Sequence, residues 1–188
     1  MNIYLVLILT VGMSIAVFRD FKDRKIPNLI TFPMMLAGLT FHFVNSGLPG
    51  LGFSAFGLIV GIGVFFIPYL LGGMGAGDAK LMGAAGALLG AAGVALAAAI
   101  SALFGFIYAI ILLVIYPEYG RSFLERTWLM SKTFLLTRQL ILIPAEKTEK
   151  KPTLSYALPI ALGTLFCVFL KVTGSNLIQE FLGFQFSI

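Results

Sequence analysis

The chain has 188 residues, of which 59% are hydrophobic and only 11% are charged, with a mean hydropathy of +1.00. Water-soluble domains average about 25% charged residues, so an ordinary soluble globule is excluded. The net charge of +5 is gathered in a few loops rather than spread over an aromatic-studded surface. That pattern signals topology and lipid-headgroup contact and argues against nucleic-acid binding.

A membrane span needs about 20 apolar residues, and the sequence divides into six such stretches. The first runs from about Ile3 to Phe18, the second from Leu29 to Val44 and the third from Leu51 to Leu71. No basic segment precedes the first, and charges follow it, so it reads as a retained span rather than a signal peptide. The stretch from Leu81 to Tyr116 is too long for one span and suits two, with a break near Gly90-Ala91-Ala92-Gly93. Its Ala/Gly-rich start suits close helix packing in a bilayer. The sixth runs from Leu154 to Thr173. Cys167 lies inside it as the single cysteine, which excludes an internal disulfide and a Cys-type zinc site. The fold class expected is therefore an all-α membrane bundle of about six helices. Residues 1–174 form its transmembrane domain, including a cytoplasmic amphipathic loop at 118–152. Residues 175–188 form an interfacial tail. Trp128 and Tyr116 read as headgroup-level aromatics, and His42 as an interface residue near the outer end of the second span.

The charges orient this bundle. Twelve of the 13 Lys and Arg fall in the loops after spans one, three and five, leaving Lys171 alone opposite. Lys and Arg favour the cytoplasmic side, so the N-terminus is expected outside and those loops inside, in the cell's inner (cytoplasmic) membrane. Asp20 and Asp78 are separated by two spans and should share the cytoplasmic face.

Acids are scarce, 8 Asp and Glu in all, and an acid at the edge of a membrane segment is costly, hence a functional candidate. Asp20 stands in Arg19-Asp20-Phe21-Lys22-Asp23-Arg24-Lys25-Ile26-Pro27-Asn28, read as a loop after the first span. There Lys22 and Arg24 are its candidate partners and Asp23 a competitor for its role. Pro27 suits a first helical turn, where its missing N–H costs nothing. Asp78 stands in Gly72-Gly73-Met74-Gly75-Ala76-Gly77-Asp78-Ala79-Lys80. Glycines permit tight backbone and close approach of another chain, and an Asp there suits a helix N-terminus in any protein. Lys80 has two open roles: a positive-inside anchor, or a cation that acts on Asp78. Used as ion-coupling groups, the same acids would suit a transporter, although such sites sit near the bilayer midplane.

Together, Asp20 with Ile26-Pro27-Asn28 and then Gly75-Ala76-Gly77-Asp78-Ala79-Lys80 after two spans resemble the type IV prepilin peptidase family of Gly-x-Gly-Asp membrane aspartyl proteases. The stretch Leu154-Ser155-Tyr156-Ala157-Leu158-Pro159 through Gly163 looks like that family's last helix. The resemblance implies Asp20 and Asp78 as the catalytic pair, with Gly75, Gly77, Lys80, Pro27 and Asn28 as supporting positions and neither metal nor cofactor. It implies a prepilin or pseudopilin helix as substrate, cleaved at the cytoplasmic border behind a basic leader, and contact with pilus assembly machinery. Lacking the paired cysteines of the larger methylating members, the chain looks like the short peptidase-only form that processes Flp-type pilins. Archaeal preflagellin peptidases are similarly short.

Overall fold

The structure is a computed structural model and describes residues 2–70, 73–116, 128–129, 132 and 155–173. The described residues are mainly helical, with no strand among them. They fall into two compact units, one of Met1–Gly105 with Ser155–Ile188 and one of Phe106–Leu154. The expected amphipathic loop and interfacial tail lie outside the described residues, apart from Trp128, Leu129 and Lys132.

Helix α1 (Ile3–Asp23) opens on Asn2, whose side-chain oxygen accepts the Tyr4 N–H at 3.1 Å. It closes at Arg24, which turns left-handed at φ 53° and donates its N–H to the Asp20 carbonyl at 3.0 Å. The helix thus runs five residues past the apolar stretch, and Asp20 lies in its last turn rather than in a loop. A helix need not stop where apolarity stops. Arg19 and Asp23, one turn apart at 3.3 Å, favour its continuation. The buried face carries Leu5, Leu9, Gly12, Met13 and Ala16.

Helices α2 (Asn28–Leu70) and α3 (Ala76–Ile115) have 43 and 40 residues. Straight, each would extend about 60 Å, twice the hydrocarbon thickness of a bilayer. Neither is straight. Gly47 breaks α2 at φ 63°, ψ −144°, and Gly90 breaks α3 at φ 76°, ψ 174°. Both values lie in the left-handed half of backbone space that glycine tolerates. Pro49 then stands near the first turn of the second stretch of α2, a position proline suits. That α2 folds back is clear from its contacts. A side chain on Gly38 would meet the Ala87 backbone at 2.7 Å, while the Ser54 hydroxyl donates to the Ala87 carbonyl at 2.6 Å. In a straight helix those two positions would be about 24 Å apart.

The first stretch of α3 is the centre of its unit, with every residue from 81 to 90 buried. Small residues make this possible. A Cβ on Gly57 would collide with the Gly86 carbonyl, one on Gly61 with that of Met82, and one on Gly86 with that of Gly57. Helix backbones here meet almost without intervening side chains, which favours van der Waals association in lipid. After the Gly90 break, α3 packs on α4 (Ala157–Val172), where Gly163 lies against Ser101. His42 stands five residues before the Gly47 break, its Nε2 3.3 Å from the Leu88 carbonyl and its ring 5.0 Å from that of Phe53. Three helices, α1, α2 and α3, are long and apolar enough to cross a membrane, and α4 is a shorter apolar helix. Their outward faces carry Leu7, Val11, Leu36, Phe56, Ile59 and Leu103, an apolar surface suited to lipid.

Candidate active site

Three helix ends and a loop converge at one end of this bundle. The stripe of α1 formed by Leu9, Met13 and Ala16 continues one turn on to Asp20, which is half-buried. Its Oδ2 accepts the Ser155 hydroxyl at 2.5 Å and the Ala157 N–H at 3.4 Å. Ala157 is the first residue of α4, and the preceding Tyr156 makes no side-chain cap. A helix leaves its first N–H groups without intrahelical partners, and the carboxylate of Asp20 fills that role from another helix. Asp23 lies further along and is spent on the exposed pair with Arg19. Lys22 and Arg24, the partners expected for Asp20, make no described bond to it, and α4 takes their place.

Asp78 is held locally. It is the third residue of α3 and is 6% exposed. Its Oδ2 accepts the Gly75 N–H at 3.0 Å while its own N–H donates to the Gly75 carbonyl at 3.1 Å. This is the reciprocal pattern by which an acid three residues into a helix closes the turn before it. A side chain on Gly75 would stand 3.2 Å from that same Oδ2. Gly77 has a different task. A Cβ there would sit 3.0 Å from the Ile26 Cβ, so its absence lets the α1–α2 loop lie against the start of α3. Ile26 is buried in that contact. That contact sets the loop after Asp20 against the turn that carries Asp78.

Lys80 reaches across to α2, where its Nζ donates to Asn28 Oδ1 at 3.0 Å and lies 5.8 Å from the centre of the Phe32 ring. These contacts give Lys80 a role beyond the two expected of it, tying the start of α3 to the start of α2. Asn28 begins α2, and the Pro27 carbonyl accepts the Ile30 N–H at 3.0 Å in that first turn. Pro27 and Asn28 thus form the first turn of α2, and the Lys80–Asn28 bond holds it beside the start of α3. Among the described residues, no three His, Cys, Asp or Glu side chains lie together as a metal would require. Sequence reasoning assigned no role to Ser155. The signal available was a hydroxyl residue just ahead of an apolar helix, too common a pattern to name its partner.

Residues 7–110 match the model of the type IV leader peptidase family. The segment includes Asp20, Gly75, Gly77 and Asp78 and ends before α4. The chain is similar to the prepilin leader peptidase/N-methyltransferase of Escherichia coli strain K12, with 31% identity over 99 residues. That alignment covers 49% of this chain and 44% of the relative, so the chain spans less than half of the relative's length. No solved structure matches.

Proposed function

The chain belongs to the type IV leader peptidase family, and on that premise we propose that it is a membrane aspartic endopeptidase. Its substrates are prepilin-like proteins, and it removes their basic leader at the cytoplasmic border of the membrane. The observation that carries this reading is the placement of Asp20 at the end of one apolar helix and Asp78 at the start of another, with the loop that follows Asp20 packed through Ile26 against Gly77. Two carboxylates in close proximity resist double ionisation and hold one proton between them. The ionised partner takes a proton from water as it attacks the scissile carbonyl. The protonated partner donates a hydrogen bond to the carbonyl oxygen. The tetrahedral intermediate collapses as a proton passes to the leaving amine, so no covalent enzyme intermediate is required.

The surroundings of the pair support a peptide substrate. The turn leading to Asp78 is built of glycines, and Gly75 is exposed, which leaves room for an extended strand to lie across it. The apolar helix of the substrate docks against the lipid-facing helices. The breaks at Gly47 and Gly90 support six helical crossings, with the N-terminus outside and the acids facing the cytoplasm. The Flp-type pilins remain the substrate class favoured by the resemblance, with preflagellins as the variant.

The test is to place the protein in phospholipid vesicles with a candidate prepilin and follow the mass of the product. Cleavage between the basic leader and the apolar helix is expected. A double Asp20→Asn, Asp78→Asn variant that cleaves as well as the wild type would refute the reading. Acid-dependent ion flux without proteolysis would replace it with a transporter.

A further inference from the structure

We infer that Ser155 is a positioning residue for Asp20, an inference that rests on the peptidase reading above. Asp20 lies in the last turn of α1, only half-buried, where a short acidic side chain would ordinarily sample several rotamers. Instead one oxygen, Oδ2, is held from two directions by α4, through the Ser155 hydroxyl at 2.5 Å and the Ala157 N–H at 3.4 Å. Ser155 is 8% exposed, so its hydroxyl competes little with water for the carboxylate. The hydroxyl is not used to cap its own helix, and Tyr156 makes no side-chain cap there either. Two donors on one oxygen fix the plane of the carboxylate and direct the other oxygen away from α4. For a carboxylate that must meet either the attacking water or the carbonyl oxygen, a misplacement of about 1 Å costs on the order of a hundredfold in rate. Ser155 touches neither water nor substrate in this role; it acts through Asp20. It lies outside the segment 7–110 that carries the family match, and Asp20 therefore draws on residues beyond that segment for its geometry.

The experiment measures kcat and KM for cleavage of a prepilin with a basic leader, using the purified full-length protein in vesicles. Ser155→Ala should lower kcat on the order of tenfold, the scale of one hydrogen bond to a charged group, with KM within about twofold. Ser155→Thr, which keeps the hydroxyl, should recover most of that kcat. Asp20→Asn is run beside them and should be inactive. If Ser155→Ala keeps full kcat while Asp20→Asn is inactive, the positioning role falls and the peptidase reading stands. Equal losses in the Ala and Thr variants, or a rise in KM alone, would also overturn it, since packing rather than the hydroxyl would then matter. Full activity in Asp20→Asn would overturn both the positioning role and the peptidase reading.

Discussion

Asp20 and Asp78 are the same residue type at the same end of the bundle, yet they are held in opposite ways. Asp78 is fixed by its own turn: donor and acceptor both belong to Gly75, three residues back. Asp20 is fixed by residues 135 and 137 positions away, just before and at the start of a helix that α1 meets only in the folded protein. One carboxylate is set as soon as its helix begins. The other is set only when α1 and α4 have packed. Assembly of the bundle, rather than either motif, therefore completes the pair.

The sharpest way to test this contrast is to remove charge without removing the hold. Asp78→Asn keeps an oxygen for the Gly75 N–H, so α3 should start where it does now. Cleavage should nonetheless fall to background, about a thousandfold or more, because removing a group that acts directly on the reacting atoms costs on that scale. Circular dichroism should be unchanged. Next comes the contact that joins the two regions. Gly77→Val would press branched carbons into Ile26, whose Cβ is already within 3.0 Å of the first added atom. Overpacking of this kind costs about 1–3 kcal/mol, and activity should drop at least tenfold as the loop moves. A thermal melt in detergent and a cleavage rate would report the two effects.

A smaller difference separates cap from charge at Asp20. Asp20→Ala removes the acceptor for the Ala157 N–H and should cost about 1 kcal/mol of stability, the scale of a lost helix cap. Asp20→Asn retains an acceptor and should cost less. Comparing their melting temperatures isolates the trans-helix cap from catalysis. Smallest of all is Lys80→Met. Its bond to Asn28 lies near the surface, and exposed polar contacts are worth up to about 1 kcal/mol. Cleavage should stay within about twofold if Lys80 tethers α2 rather than acting on Asp78.

The same contrast explains what could be read from the residues alone. The helix breaks were legible because they rest on glycines between apolar stretches. Gly47 falls in the gap between the second and third stretches, and Gly90 opens the Gly-Ala-Ala-Gly segment. The place of Asp78 at a helix start was legible because an acid beside Gly75 and Gly77 forms a local pattern, and its hydrogen-bond partner is in that pattern. The end of α1 was not, since Arg19-Asp20-Phe21-Lys22-Asp23 reads as a charged loop until the Arg19–Asp23 spacing is counted along a helix. Nor was Ser155, because nothing near residue 155 refers to residue 20. The partner of His42 was not legible for a related reason: the Leu88 carbonyl lies 46 residues away, on α3. Local chemistry announces itself in sequence, whereas a hydrogen bond between distant helices emerges only from packing.

Asp20 and Asp23 offer the most direct check, because they stand three residues apart on one helix and have different partners. The decisive measurement is prepilin cleavage by Asp20→Asn and Asp23→Asn side by side, with membrane insertion confirmed for each. Loss of cleavage in Asp20→Asn, with near wild-type cleavage in Asp23→Asn, is the result expected if the α4-held carboxylate is the partner of Asp78. An active Asp20→Asn beside an inactive Asp23→Asn would contradict it.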